Sequence, residues 1–195
     1  NIVIVVVVSG HFTRQSGCRL RTDESEICQI GCSRLITPGP PPPPNVNFPN
    51  YNNEENRGKE LFFTVGCAAC HGTETFTAPL EKNNGLDMVT TDRGFGAVTN
   101  NTNQDGLFKV GSLRNVELTA PYMHDGRFNT LEEVIEHYST GVKNHPNLSQ
   151  QLRLPNGNPR LLNLPPADKA ALVAFLKTLT DNSVITDVKF SNPFK

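Results

Sequence analysis

Apolar positions recur with helical spacing in three segments of the chain. The first opens at Asn53, where Glu54 and Glu55 put carboxylates at the positive end of a helix dipole and Gly58, Leu61, Phe62 and Val65 follow on one face. It runs directly into Cys67. The second begins with a capping box, Thr130 with Glu133, and sets Leu131, Val134, Ile135 and Tyr138 at i, i+3, i+4 and i+7 before Gly141 stops it. This face turns Tyr138 inward and leaves His137 on the flank. The third starts at Pro165-Pro166, has Asp168 in its first turn, aligns Ala171, Leu172, Phe175 and Leu179, and ends near Thr180. Strand signals are sparse and the connecting loops long, a combination uncommon in compact domains unless the loops wrap something.

The front of the chain has a different character. Its longest apolar run, Ile2 to Val8, falls short of the roughly 18 residues that cross a bilayer, so no transmembrane span is expected. The run reads as a β-strand or as the trimmed tail of an export signal. Gln15-Ser16-Gly17-Cys18 is a weak match to a lipid-attachment site. Pro38-Gly39-Pro40-Pro41-Pro42-Pro43-Pro44 must be extended polyproline II, and the Asn-rich stretch after it continues a spacer. The expected organisation is a Cys-containing leader at 1–37, a Pro/Asn-rich linker at 38–52, a globular unit at 53–182 and a tail at 183–195.

Composition sharpens the expectation of a bound group. Only 36% of the 195 residues are hydrophobic, Trp is absent, and Gly and Pro number 15 each, which is a thin core for this length. A prosthetic group would supply the missing apolar mass. Eighteen basic against 19 acidic residues leave no electrostatic footprint for nucleic acid and no polybasic membrane patch. Of the five cysteines, Cys18, Cys28 and Cys32 lie in the leader, where an oxidising compartment would allow one disulfide.

The other two carry the chemistry. Cys67-Ala68-Ala69-Cys70-His71 is C-x-x-C-H, in which two thiols add to the vinyl groups of haem and the adjacent histidine supplies an axial nitrogen to iron. C-x-x-C alone would also suit a redox disulfide or half a zinc site. No second C-x-x-C or H-x-x-x-H follows to complete a zinc set, and no βαβ pattern surrounds the cysteines. One covalent haem c on Cys67, Cys70 and His71 is the expectation.

Arg57-Gly58-Lys59-Glu60-Leu61-Phe62 ahead of the pentapeptide resembles the opening helix of class I cytochromes c, and the third helix resembles their closing one. In that fold the terminal helices cross through a small residue and an aromatic, so Gly58 is expected to admit Phe175, with Phe62 beside them. A narrower resemblance runs from Phe108-Lys109-Val110-Gly111-Ser112-Leu113-Arg114-Asn115-Val116 through Ala120-Pro121-Tyr122-Met123-His124-Asp125-Gly126 to Thr130-Leu131-Glu132-Glu133. It is similar to the C-terminal haem domain of the bacterial di-haem cytochrome c peroxidase / MauG family.

That resemblance implies an all-α, cytochrome c-like domain wrapped around the haem, with an irregular N-terminal extension. Counting from His124 along the chain, the family's distal-ligand position falls on Tyr138, and the maturation-enzyme branch has Tyr there. Met123 is the rival distal ligand. Met88 lies in a loop with no matching motif, His124 is expected to order its loop, and His11 and His145 are expected in solvent. A neutral thioether would favour ferrous iron, whereas an anionic phenolate would favour ferric and lower the potential. The family's calcium, bound between domains, would meet backbone carbonyls at Thr119 and Pro121.

Absent from the chain are the family's second C-x-x-C-H, the assisting carboxylate of the N-terminal haem domain and the inter-haem Trp. The resemblance therefore implies electron transfer. The alternative is a peroxidase or MauG-like oxidative enzyme using a second haem not present in this chain. The partner would be a redox protein or a second haem domain, and covalent haem implies export to the periplasm or the bacterial cell surface.

Overall fold

The computed structural model describes residues 45–191. The leader, with His11, Cys18, Cys28 and Cys32, lies outside the described residues. Those described form helices and loops, with isolated bridges such as Lys82 to Phe108 in place of a sheet.

Helix α1 spans Asn53–Thr64. Its cap is Asn52, whose side chain accepts from the Glu55 amide at 2.8 Å while Glu55 Oε2 accepts from the Asn52 amide at 2.9 Å, satisfying two end-of-helix donors reciprocally. The one-turn helix α2, Ala68–His71, follows, then α3 at Phe95–Thr99, α4 at Leu131–Glu136, α5 at Pro166–Lys177 and α6 at Ser183–Thr186. The predicted capping box of Thr130 and Glu133 is present at the start of α4. Pro166 opens α5, where its missing amide is no loss.

The core lies where α1 crosses α5. Gly58 makes the crossing close: a Cβ there would sit 1.8 Å from the Ala171 carbonyl oxygen and 2.8 Å from Phe175 Cβ. Phe62, Leu172 and Phe175 are almost fully buried around it, and the Phe62 and Phe175 ring centroids are 5.3 Å apart. Arg57 reaches across to Asp168 through both carboxylate oxygens at 3.1 Å. Lys59 is buried, its ammonium donating to the Val46 carbonyl and lying 4.7 Å from the Phe48 ring centroid. Phe48 and Tyr51, in the Asn-rich stretch, thus pack onto α1, held also by the Asn56 side chain.

Two side chains differ from their expected places. His145 is buried, at 4% exposure, because its Nδ1 accepts from the Asn147 amide at 3.0 Å and its loop packs beside Gly106. His137 is also buried rather than on the flank. Its ring is covered by the loop carrying Asn84, whose carbonyl accepts from His137 Nε2 at 3.0 Å, and lies 6.0 Å from the Phe128 ring; the helix widens to a π turn over His137–Gly141.

Candidate haem site

The geometry starts from α2. The Cys70 and His71 amides both bond to the Cys67 carbonyl, at 3.1 and 3.0 Å, so one helical turn carries the two thiols and the imidazole. Gly66, at φ +104°, turns the chain into it from α1. Both thiols are free of a disulfide.

The His71 ring is aimed by the chain. Its Nδ1 lies 2.8 Å from the Phe76 carbonyl oxygen. A carbonyl only accepts, so Nδ1 carries the proton and Nε2 keeps its lone pair for a metal. Phe76 holds that carbonyl in place from a left-handed backbone conformation, φ +53°, with its own ring buried edge-on against Phe62 at 5.8 Å. Burial lowers the His71 pKa, and the bond to Phe76 opposes this in part. The neutral imidazole that results is the ligand form.

Burial pushes the Tyr138 hydroxyl up to about 12, the Asn84 side chain works against that, and charge on Cys67 or Cys70 would raise it further. Burial likewise pushes the Cys67 thiol up to about 12. Cys67, Cys70, His71 and Tyr138 all retain accessible surface, and lost hydration is the largest influence on the titration of all four.

The rival residues divide. Met123, at φ +73°, points its sulfur to the Asn84 side-chain amide, 3.3 Å away. Met88 is 62% exposed on its loop. His124 stacks on Phe108 with centroids 3.7 Å apart. His137 donates from Nε2 to the Asn84 carbonyl at 3.0 Å, so that nitrogen is engaged. Thr119 and Pro121 are exposed on one loop. Among the described residues no group of three or more His, Cys, Asp or Glu side chains is placed to hold a metal ion. Sequence reasoning missed Asn84 and the Phe76 carbonyl. Neither belongs to a chemistry-bearing residue type, and only the Asn83-Asn84-Gly85 turn composition hints at an ordered loop.

Comparison with known proteins turns this geometry into a family. The family model described as cytochrome c matches residues 55–180. The chain belongs to the cytochrome c family. This cytochrome is 37% identical over 128 residues to the methylamine utilization protein MauG of Methylorubrum extorquens, an alignment covering 65% of this chain and 34% of that protein. It is 37% identical over 97 residues to the cytochrome-c peroxidase IdrP2 of a Pseudomonas species, covering 50% of this chain and 23% of that one. Among solved structures, a MauG-like protein associated with microbial copper homeostasis superposes with a TM-score of 0.66 at 32% identity, over 75% of this chain and 49% of that one. The cytochrome thus spans between about a quarter and a half of the length of these relatives. It is a helical haem c protein.

Proposed function

We propose that this cytochrome binds one haem c through thioether bonds to Cys67 and Cys70, with His71 Nε2 as the proximal iron ligand and Tyr138 as the distal one, and that it transfers electrons. The observation that carries the reading is the His71–Phe76 hydrogen bond, which commits Nδ1 and leaves Nε2 free beside two unpaired thiols. Bound there, the haem supplies a one-electron iron couple. The chain's own residues do the rest: α2 would tether the macrocycle through its two thiols, and the Phe76 carbonyl orients the imidazole. Tyr138 is neutral at pH 7 in the protein alone, and the positive charge of a bound ferric iron would favour its anion. A His/Tyr couple is low in potential, suiting a haem that stabilises oxidised states more than one that accepts electrons from strong oxidants.

A second reading is favoured by the names and lengths of the relatives. As one part of a longer assembly, the domain would relay electrons to a second haem elsewhere, in a peroxidase or MauG-like oxidising enzyme. Its partner is then a redox protein or that second haem domain, and its location is the periplasm or the bacterial cell surface. Calcium fits only this reading. Two carbonyls, from Thr119 and Pro121, fall short of the 6–8 oxygens the ion takes, so the remainder must come from another domain.

Pyridine haemochrome counting with intact mass on the holoprotein should give one covalent haem per chain, and hydrogen peroxide turnover should be absent from this chain alone. Substituting Tyr138→Phe should change the ferric electron paramagnetic resonance spectrum. An unchanged spectrum removes Tyr138 from the iron, and turnover by the single-haem chain refutes the electron-transfer reading.

A further inference from the structure

The loop that follows the attachment motif is gripped by one run of the chain. Arg114 Nη2 donates to the Glu74 carbonyl at 2.9 Å, Ser112 Oγ to the Thr75 carbonyl at 2.5 Å and the Leu113 amide to the Phe76 carbonyl at 3.3 Å. Three consecutive carbonyls thus meet three consecutive residues, and Thr77 Oγ1 completes the set by donating to the Val110 carbonyl at 2.5 Å. The gripping run is itself fixed. The Asn115 amide donates to the Leu179 carbonyl at 3.0 Å, its side-chain oxygen accepts from the Asp181 amide at 2.6 Å, and Val116 is buried in the core. Arg114 Nε is enclosed, with no partner among the described residues, so the guanidinium is pressed onto the loop rather than ranging in solvent.

What this grip holds is the oxygen that His71 uses. The Phe76 carbonyl takes the His71 Nδ1 proton at 2.8 Å, and Phe76 presents it from φ +53°, a conformation that a bulky residue keeps only when its surroundings enforce it. We propose that Ser112 and Arg114 are positioning residues for the His71 imidazole, and that by clamping the Thr75 and Glu74 carbonyls they keep the haem potential low. The inference rests on the reading of His71 as the proximal ligand. Without the two side-chain bonds, Phe76 relaxes toward negative φ, its peptide plane turns, and the bond from Nδ1 weakens. That bond makes Nε2 a more basic donor. A more basic donor favours ferric over ferrous iron, so weakening the bond raises the potential. Both side chains act on the ring through the loop backbone.

The test uses the holoprotein. Ser112→Ala and Arg114→Met each remove one bond and leave the backbone bond from Leu113 in place; the singles decide if the double variant does not fold. Each single should shift the ferric–ferrous equilibrium roughly threefold toward ferrous, a rise of about 28 mV in midpoint potential at ~59 mV per tenfold for one electron. Arg114→Lys keeps a donor for the Glu74 carbonyl and should stay nearer the parent potential. Thr130→Ala, which loosens a helix cap elsewhere, should keep the parent potential. If Ser112→Ala and Arg114→Met melt lower but hold or lower the parent potential, the clamp only stabilises the loop and the proposal is overturned. An equal rise in Thr130→Ala overturns it too, because general loosening would then explain the shift. Pulsed electron paramagnetic resonance of the ferric parent grown on isotope-labelled histidine separates the two readings. A coupled imidazole nitrogen there leaves the ligation reading standing even if the clamp fails, and its absence overturns both.

Discussion

Replacing Gly58 by alanine isolates the contact on which the core depends. Two effects compete. In a helix interior alanine is favoured over glycine by about 1 kcal/mol. Against this, the new Cβ would lie 1.8 Å from the Ala171 carbonyl oxygen, more than 1 Å inside any distance real Cβ atoms adopt, and the atom it meets is backbone that cannot swing away. α1 and α5 must separate, loosening Phe62, Leu172 and Phe175, all nearly fully buried at the crossing. Overpacking of a dense core costs about 1–3 kcal/mol, and a clash between two backbones belongs at the upper end or beyond. The net expectation is a loss of at least about 2 kcal/mol, or roughly 4–8 °C in melting temperature for a chain of this size. Thermal unfolding of the holoprotein, followed by far-ultraviolet circular dichroism, measures it. Gly111→Ala is the control: nothing lies within 4 Å of its Cβ position, so that variant should melt with the parent. A Gly58→Ala protein as stable as the parent would refute the close crossing.

Asn56→Ala should cost about 2 kcal/mol in urea unfolding, because it strips the Phe48 amide of its acceptor at 2.8 Å and the Tyr51 carbonyl of its donor at 3.1 Å. Thr130→Ala removes the acceptor for the Glu133 amide at 3.2 Å and should cost about 1 kcal/mol by the same measurement. His145 gives a pH dependence. Burial lowers its pKa below the ordinary value, so the unfolded chain binds the proton more readily than the native one. The native state therefore has its full advantage above about pH 6.5 and loses it as pH falls below that value, since protonation also breaks the bond from the Asn147 amide. The urea midpoint should fall between pH 7 and 5, and His145→Gln should flatten the part of that fall due to this residue.

What could be read from the chain follows the range of the interactions concerned. The pentapeptide at 67–71 and the capping boxes at 52–55 and 130–133 are complete within a few residues, so they were legible without a fold. The α1–α5 crossing was legible too, through Gly58 and the aromatic stripe of α5, because only a residue without a Cβ admits such an approach. The inward turn of His137 was not. A helical wheel places a residue relative to its own helix only, whereas His137 is covered by a distant loop whose Asn84 carbonyl accepts from its ring. His145 escaped for a related reason, since its loop has no periodicity and its burial comes from contacts with residues 83 to 106.

By itself, then, the order of residues determined the attachment motif, the three long-stripe helices and the cytochrome c family, all of which depend on short spacings that covalent geometry makes local. Tertiary structure alone decided what the loops contribute around it: the Phe76 carbonyl on His71, the Asn84 side-chain amide on the Met123 sulfur and the Asn84 carbonyl on His137. Such groups come from loops whose paths are set by packing against the core rather than by their own sequence, so no local pattern announces them.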